Sequence, residues 1–106
     1  MITIEQFRQM ELKVATITQA EAHPNADRLL VLTVDVGGAA KQVVAGIRGQ
    51  YEPSALIGKS VIVVDNLEPA TIRGVQSQGM VLAASGADIM SVLTPDRPVP
   101  SGSPVR

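Results

Sequence analysis

The clearest pattern in the chain is an alternation of apolar and polar residues between positions 30 and 36. Thr33 and Asp35 stand between apolar neighbours, and a period of two places the apolar side chains on one face of a strand. The apolar residues of this alternation are Leu30, Leu32, Val34 and Val36. The pair Gly37-Gly38 then predicts a hairpin turn. The return strand is expected over residues 41–46, and it ends at Gly46.

Three other segments have the composition of strands. Residues 12–20 are rich in β-branched side chains, and residues 60–65 form a continuous apolar run of strand length. Residues 79–85 predict the last clear strand, and a weaker one is expected from Ile89 to Leu93.

Two short helical elements are expected. Thr3 and Gln6 form a capping box, in which each side chain bonds the other residue's backbone amide. This predicts a helix over Ile4–Met10, with Phe7 facing a core or a partner. Pro53 or Ser54 could start a single further turn of helix that is bounded by Gly58.

Turn-forming residues mark the connections. Residues 21–28 contain Pro24, Asn25 and Asp27, and residues 66–74 are predicted to be a loop. Residues 94–106 hold four of the seven prolines of the chain, so they are expected to form an extended tail.

The order of these elements predicts an all-β fold. Five antiparallel strands with a helical turn between the third and fourth match a five-stranded Greek-key barrel, the OB-fold, preceded here by a short helix. An SH3-like barrel is the alternative. A single domain over residues 1–106 is expected.

Composition excludes several classes of chemistry. The chain has no cysteine, so disulfides, thiolate metal sites and cysteine nucleophiles are excluded. Its net charge of −1 gives no strongly basic footprint, although nine Lys and Arg can cluster on one face. Charged residues make up 18%, below the typical value of about 25%, which favours self-association. Neither a membrane span nor a signal peptide is apparent, so a cytoplasmic protein is expected.

No catalytic or metal-binding set is apparent. Gly58-Lys59-Ser60 resembles the end of a P-loop, but Pro53 replaces the required glycine and a strand follows. His23 is the only histidine and is expected on a surface loop, where Asp27 alone would make a poor metal site. We therefore expect a protein without enzymatic activity, cofactor or metal.

One segment stands out as a candidate binding site. Ser77, Gln78, Gly79 and Met80 place a hydroxyl, an amide, an open backbone and a thioether at the start of an apolar run, with Arg73 upstream. The alternative is that Gly79 is a bulge and Met80 belongs to the core. Because Phe7 and Tyr51 are the only aromatic residues, any RNA would be recognised by shape and phosphates rather than by base stacking.

Three blocks of sequence resemble one family. The opening ITIEQFRQMELKVATI, the segment HPNADRL and the segment NLEPATIRGVQSQGMVLAA are similar to the structure-specific tRNA-binding domain. This OB-fold module occurs free-standing, at the C-terminus of methionyl-tRNA synthetases and in endothelial monocyte-activating polypeptide II. The resemblance implies binding to the outer corner of tRNA with little sequence preference.

The resemblance also implies site residues. The RNA-binding positions that it and the residue types suggest are Asn25, Arg28, Lys41, Asn66, Arg73, Ser77, Gln78, Gly79 and Met80. The family's blocks also cover Asp27, Leu67 and Pro69. The return strand departs from the family pattern because Lys41 is its only basic residue.

Free-standing members of the family are homodimers, and their two terminal segments build the interface. Here this implies an interface through residues 2–10 and 89–105. Its candidate residues are Ile4, Phe7, Met10, Ile89, Val92, Leu93 and Val99. A synthetase is a further possible partner, and a membrane is not expected.

Two related modules are alternatives. The phenylalanyl-tRNA synthetase module shares HPNADRL and RGVQSQGM but usually lacks the helical opening. A secretion-associated chaperone shares the fold and the opening but typically lacks the Ser-x-Gly-Met block. The chaperone would be a dimer that binds unfolded polypeptide in an apolar groove, for which Met10, Met80 and Met90 could serve.

Overall fold

The computed structural model describes residues 1–106 and contains ten strands and two short helices. The helices are α1 (Ile4–Arg8) and α2 (Pro53–Leu56). The strands are β1 (Leu12–Ala22), β2 (Leu30–Asp35), β3 (Ala40–Ala45), β4 (Ser60–Val64), β5 (Ala70–Ile72), β6 (Val75–Ser77), β7 (Met80–Val81), β8 (Ala83–Gly86), β9 (Ile89–Val92) and β10 (Pro104–Val105). The predicted all-β class is confirmed.

The strands form one curved antiparallel sheet that nearly closes on itself. The main sheet has the order β3-β2-β1-β4-β7, and two hairpins, β5-β6 and β8-β9, extend from it. The segment between β6 and β7 meets β3, where the Gln78 amide donates to the Gln42 carbonyl at 2.7 Å. This contact brings the two ends of the sheet together, so the sheet has the form of a small barrel.

The core lies inside this barrel and follows the predicted alternation. Leu30, Leu32 and Val34 are fully buried, as are Ala15 and Ile17 of β1. Val61 and Val63 of β4 face them, and Leu56 of α2 joins the same cluster. Each fully buried Leu or Val contributes about 1.5–3 kcal/mol by leaving water. The alternation between Leu30 and Val36 therefore sets which face of β2 is inside.

Most predicted local elements are confirmed. Gly37 and Gly38 both have positive φ and join β2 to β3. The capping box is present, since the Gln6 amide donates to the Thr3 hydroxyl at 3.2 Å and the Thr3 amide donates to Gln6 Oε1 at 2.8 Å. The helix is shorter than expected and ends at Arg8.

Two predicted elements were wrong. Residues 66–74 are not simply a loop, because β5 lies within them and pairs with β6. Residues 79–85 are not one strand. Met80 and Val81 pair with β4, whereas Ala83 onward pairs with β9. The strand breaks at Leu82 because the chain changes partner there.

The proline-rich tail packs against the barrel. The Gly102 amide donates to the Val14 carbonyl at 2.7 Å, and the Val14 amide donates to the Ser103 carbonyl at 2.9 Å. Pro104 and Val105 then pair with the start of β1. Neither helix could span a bilayer, since α1 has 5 residues and α2 has 4.

Candidate nucleic-acid interface

The loop of residues 23–28 is held from its base by His23. The prediction that His23 lies on the surface was wrong, because its side chain is only 3% exposed. Its Nδ1 accepts a hydrogen bond from the Asn25 amide at 3.0 Å, and its Nε2 lies 3.0 Å from the Ile72 carbonyl. The ring is buried because both of its nitrogens find backbone partners there.

Three arginines surround this loop. The Arg73 guanidinium donates to the Asn25 carbonyl at 3.3 Å, and the Arg48 guanidinium donates to the Ala26 carbonyl at 3.1 Å. Arg28 belongs to the loop itself, and its carbonyl accepts from the Arg48 amide at 3.3 Å. We call Arg28, Arg48 and Arg73 the arginine cluster. All three are exposed, and the ion pairs of the chain lie elsewhere, at Asp65. Each guanidinium has five N–H donors, so most of them remain available to a ligand.

Arg73 adopts an unusual backbone conformation. Its φ is +52°, and Gly74 after it has a φ of +88°, so the pair forms the turn between β5 and β6. Asn or Gly would adopt this left-handed conformation at lower cost. A charged residue held in a strained turn is more common at functional sites than elsewhere.

Sequence reasoning missed Arg48. It lies between Ile47 and Gly49 in an irregular segment, outside the blocks that carry the resemblance. It also lines a cleft of about 520 Å³ together with Asp27, Leu30 and Tyr51. Only the three-dimensional arrangement brings it to the loop of residues 23–28.

The segment from Ser77 to Gly79 is used mainly for closing the barrel. Ser77 is 4% exposed, and its hydroxyl accepts from the Val44 amide and donates to the Gly79 carbonyl, both at 3.0 Å. Gln78 Oε1 accepts from the Gln42 amide at 2.9 Å. A Cβ on Gly79 would lie 2.9 Å from the Val64 carbonyl oxygen. These three residues therefore shape the site, and the Ser77 hydroxyl and the Gln78 Oε1 already have hydrogen-bond partners.

Met80 is available to a ligand. It is 46% exposed, so the alternative that placed it in the core was wrong. It lines a mainly apolar groove of about 220 Å³ with the exposed Leu67 and the half-buried Ile72. The β5-β6 hairpin lines this groove through Ile72 and carries Arg73 at its tip, so the same hairpin belongs to the groove and to the arginine cluster.

Lys41 and Asn66 are held by internal contacts. Lys41 Nζ lies 2.6 Å from Asp65 Oδ1, and Lys13 Nζ lies 3.0 Å from Asp65 Oδ2. Partial burial acts to raise the pKa of Asp65, but hydrogen bonds and charge from Lys41 and Lys13 outweigh it and hold that pKa below its usual value. Asn66 accepts from the Glu11 amide and donates to the Gln9 carbonyl, which ties the linker between α1 and β1 to the segment after β4.

The aromatic side chains are poorly placed for stacking. Tyr51 is half-buried, and its hydroxyl accepts from the Val92 amide at 3.1 Å. Phe7 is also half-buried and lies in a groove of about 200 Å³ with Met10, Leu12 and Val105. A ligand would therefore meet guanidinium, amide and thioether groups rather than aromatic faces.

Of the candidate interface residues, Val92 is misassigned, because it is 6% exposed and belongs to the core of its own chain. Ile4, Met10, Ile89, Leu93 and Val99 are exposed, as an interface needs.

The architecture and the arginine cluster define a class of protein. A small antiparallel barrel with exposed arginines gathered around one loop is the kind of module that binds oligonucleotides. The chain belongs to the putative tRNA binding domain family, whose model matches residues 12–104. The resemblance inferred from the sequence is thereby confirmed.

Individual relatives agree with this family assignment. The chain is 50% identical to methionine–tRNA ligase of Methanococcus aeolicus over 105 residues, which are 99% of this chain and 16% of that enzyme. It spans about one sixth of the curated relatives it matches.

Two solved structures match at full length. A MetRS-related protein from Pyrococcus horikoshii has a TM-score of 0.93 at 33% identity, covering 100% of this chain and 98% of the other. The chaperone CsaA from Bacillus anthracis has a TM-score of 0.90 at 30% identity, covering 100% and 99%.

Proposed function

We propose that the chain binds tRNA through the arginine cluster and the adjoining Met80 groove. The observation that carries this proposal is the convergence of three exposed arginines without acidic partners on one loop, in a chain whose net charge is −1. Phosphate contacts position a nucleic acid without reading its bases. Recognition therefore depends on the shape and backbone of the folded tRNA.

The role of the remaining residues follows from their partners. Asn25 and Met80 are exposed and contact RNA directly. Ser77, Gln78 and Gly79 act indirectly, because they fix the segment that presents Met80. Lys41 contributes less than the arginines, since its ammonium already pairs with Asp65.

The chain acts by binding and contributes no chemical step. Within or beside a methionyl-tRNA synthetase in the cytoplasm, such a module would add tRNA affinity to a catalytic part that lies elsewhere. We propose further that it is a homodimer, joined through α1 and the C-terminal tail. The apolar groove between these segments and their exposed side chains support this.

A chaperone-like dimer that binds unfolded polypeptide is the second candidate. The apolar groove beside Leu67 and Met80 favours it, together with the likeness to the chaperone CsaA. A filter-binding assay with folded tRNA and with an unfolded polypeptide separates the two. We expect retention of tRNA alone, and retention of the polypeptide alone would contradict the tRNA proposal.

A further inference from the structure

The hydrogen bonds of His23 fix its tautomer. The Asn25 amide can only donate, so Nδ1 must accept and carries no proton. The proton of the neutral ring therefore lies on Nε2, which donates to the Ile72 carbonyl. His23 thereby joins the loop of residues 23–28 to the β5-β6 hairpin, which is 49 residues away in the chain.

This connection lies beneath the arginine cluster. The hairpin that receives the Nε2–H bond carries Arg73, and the Asn25 residue that donates to Nδ1 accepts from Arg73 through its carbonyl. The neutral ring thus holds both partners of the Arg73 contact. We propose that His23 is a positioning residue for tRNA binding, and that only its neutral form keeps the arginine cluster assembled. This inference rests on the proposed function.

Protonation would disrupt the arrangement from within. A proton on Nδ1 would point at the Asn25 N–H, so two donors would meet at a buried site where one hydrogen bond had been. The charged residues on the segments that meet at His23 are Glu21, Asp27 and Arg28 on its own segment, Arg73 on the hairpin, and Arg48, which bonds the Ala26 carbonyl. No carboxylate pairs with the ring, and the arginines would repel an imidazolium.

The expected change of tRNA affinity on acidification is opposite in direction to the change that simple electrostatics predicts. An exposed histidine that gains a charge beside a basic cluster strengthens RNA binding, because it adds an attraction to phosphate. Loss of the loop geometry weakens binding instead. The direction of the pH dependence therefore separates a positioning role from that of one more cation.

The test compares the wild type with His23→Asn. Asn keeps an oxygen where Nδ1 lies and can accept from the amide two residues on, as in an Asx turn, but it does not titrate. Affinity for a fluorescent folded tRNA is measured by anisotropy from about pH 8 to about pH 5.5. Every other residue and the tRNA are the same in the two measurements, so their contributions cancel.

We expect wild-type affinity to fall by about tenfold on acidification, the effect of one buried hydrogen bond, and that of His23→Asn to stay level or rise. Wild-type affinity that rises or stays level, or a parallel fall in both proteins, would overturn the inference while leaving tRNA binding intact. Absence of binding at pH 8 would instead contradict the proposed function.

Two measurements without RNA complete the test. Nitrogen chemical shifts of the ring should show the Nε2-protonated tautomer at pH 8, and the Nδ1-protonated tautomer would overturn the assignment. Circular dichroism should show a folded barrel at pH 5.5, whereas global unfolding there would contradict a change confined to the loop.

Discussion

The Arg73 guanidinium donates to the Asn25 carbonyl at 3.3 Å, although 48 residues separate them in the chain. This contact joins the tip of the β5-β6 hairpin to the loop of residues 23–28. It places a cation on the loop that also accepts from the Arg48 guanidinium, and it does so from a backbone conformation that asparagine adopts more easily than arginine. Function and stability should therefore respond differently to substitution at position 73.

Replacement of Arg73 by asparagine tests this separation. Arg73→Asn relieves the positive-φ strain but loses an exposed hydrogen bond to Asn25, so stability should change by less than about 1 kcal/mol. Affinity for tRNA should fall, and the slope of log affinity against log salt should become shallower by about 1. Thermal melts and anisotropy titrations measure the two effects.

The matched control is Lys59→Asn, which removes the same charge. Lys59 lies before β4 in a separate groove with residues 94–98. It should change neither affinity nor salt slope appreciably. Equal losses for Lys59→Asn and Arg73→Asn would mean that net charge, and not the arginine cluster, determines binding.

Ser77→Ala should mainly lower stability, whereas Met80→Ala should mainly weaken tRNA binding. Ser77→Ala leaves the buried Val44 amide without its acceptor and should cost about 1–3 kcal/mol of stability. Met80→Ala truncates a side chain that is 46% exposed and should cost less than about 1 kcal/mol while weakening tRNA binding. Denaturant unfolding beside binding curves decides this. A loss of several kcal/mol for Met80→Ala would indicate that Met80 belongs to the core.

Gly79 should not tolerate a side chain. Gly79→Ala would place a Cβ 2.9 Å from the Val64 carbonyl oxygen, a backbone atom that cannot move away easily. We expect a loss of about 1–3 kcal/mol from overpacking. Gly86→Ala is the control, because its Cβ would meet nothing within 4 Å. Equal melting temperatures for the two variants would show that the close approach at Gly79 does not affect stability.

Asp65 should contribute a stability that is lost in acid. Its pKa is lowered by Lys41 and Lys13 in the folded state, so the contribution is present above the unfolded value near 3.8 and disappears as pH falls through the lower folded value. Asp65→Asn should therefore be less stable than the wild type at neutral pH. The two stability curves should converge below pH 3.8, and a constant gap there would exclude the ion pairs as its cause.

The proposed dimer should respond to charge at its exposed apolar residues. Met10→Glu or Val99→Glu should shift the wild-type dimer toward monomer in sedimentation equilibrium at micromolar concentration, because burying an unpaired carboxylate is costly. Ile57→Glu is the control, since Ile57 is equally apolar and exposed but lies after α2. A wild-type protein that is monomeric and still binds tRNA fully would contradict the proposed dimer.

The fold was largely predictable because patterns of neighbouring residues determine most of its strands and turns. The alternation from Leu30 to Val36 and the glycine pair after it specify a hairpin without reference to the rest of the chain. The strand break at Leu82 was not predictable, because no local signal marks where a strand changes partner.

The site was less predictable, because its contacts join residues that are far apart in the chain. The burial of His23 depends on the Ile72 carbonyl, and the position of Arg48 depends on a loop 22 residues away in the chain. Ser77 and Arg73 were singled out from composition and resemblance. Only the structure shows that the hydroxyl of Ser77 is already engaged, whereas the guanidinium of Arg73 keeps free donors.

The salt dependence of tRNA binding tests the central claim most directly. Wild-type affinity for one folded tRNA is measured by anisotropy at increasing salt, alongside the triple variant Arg28→Ala, Arg48→Ala and Arg73→Asn. We expect the wild-type log–log slope to reflect about three phosphates at −0.7 to −0.9 each, and the triple variant to lose most of that slope. A wild-type affinity indifferent to salt, or a triple variant with the wild-type slope, would contradict binding through the arginine cluster.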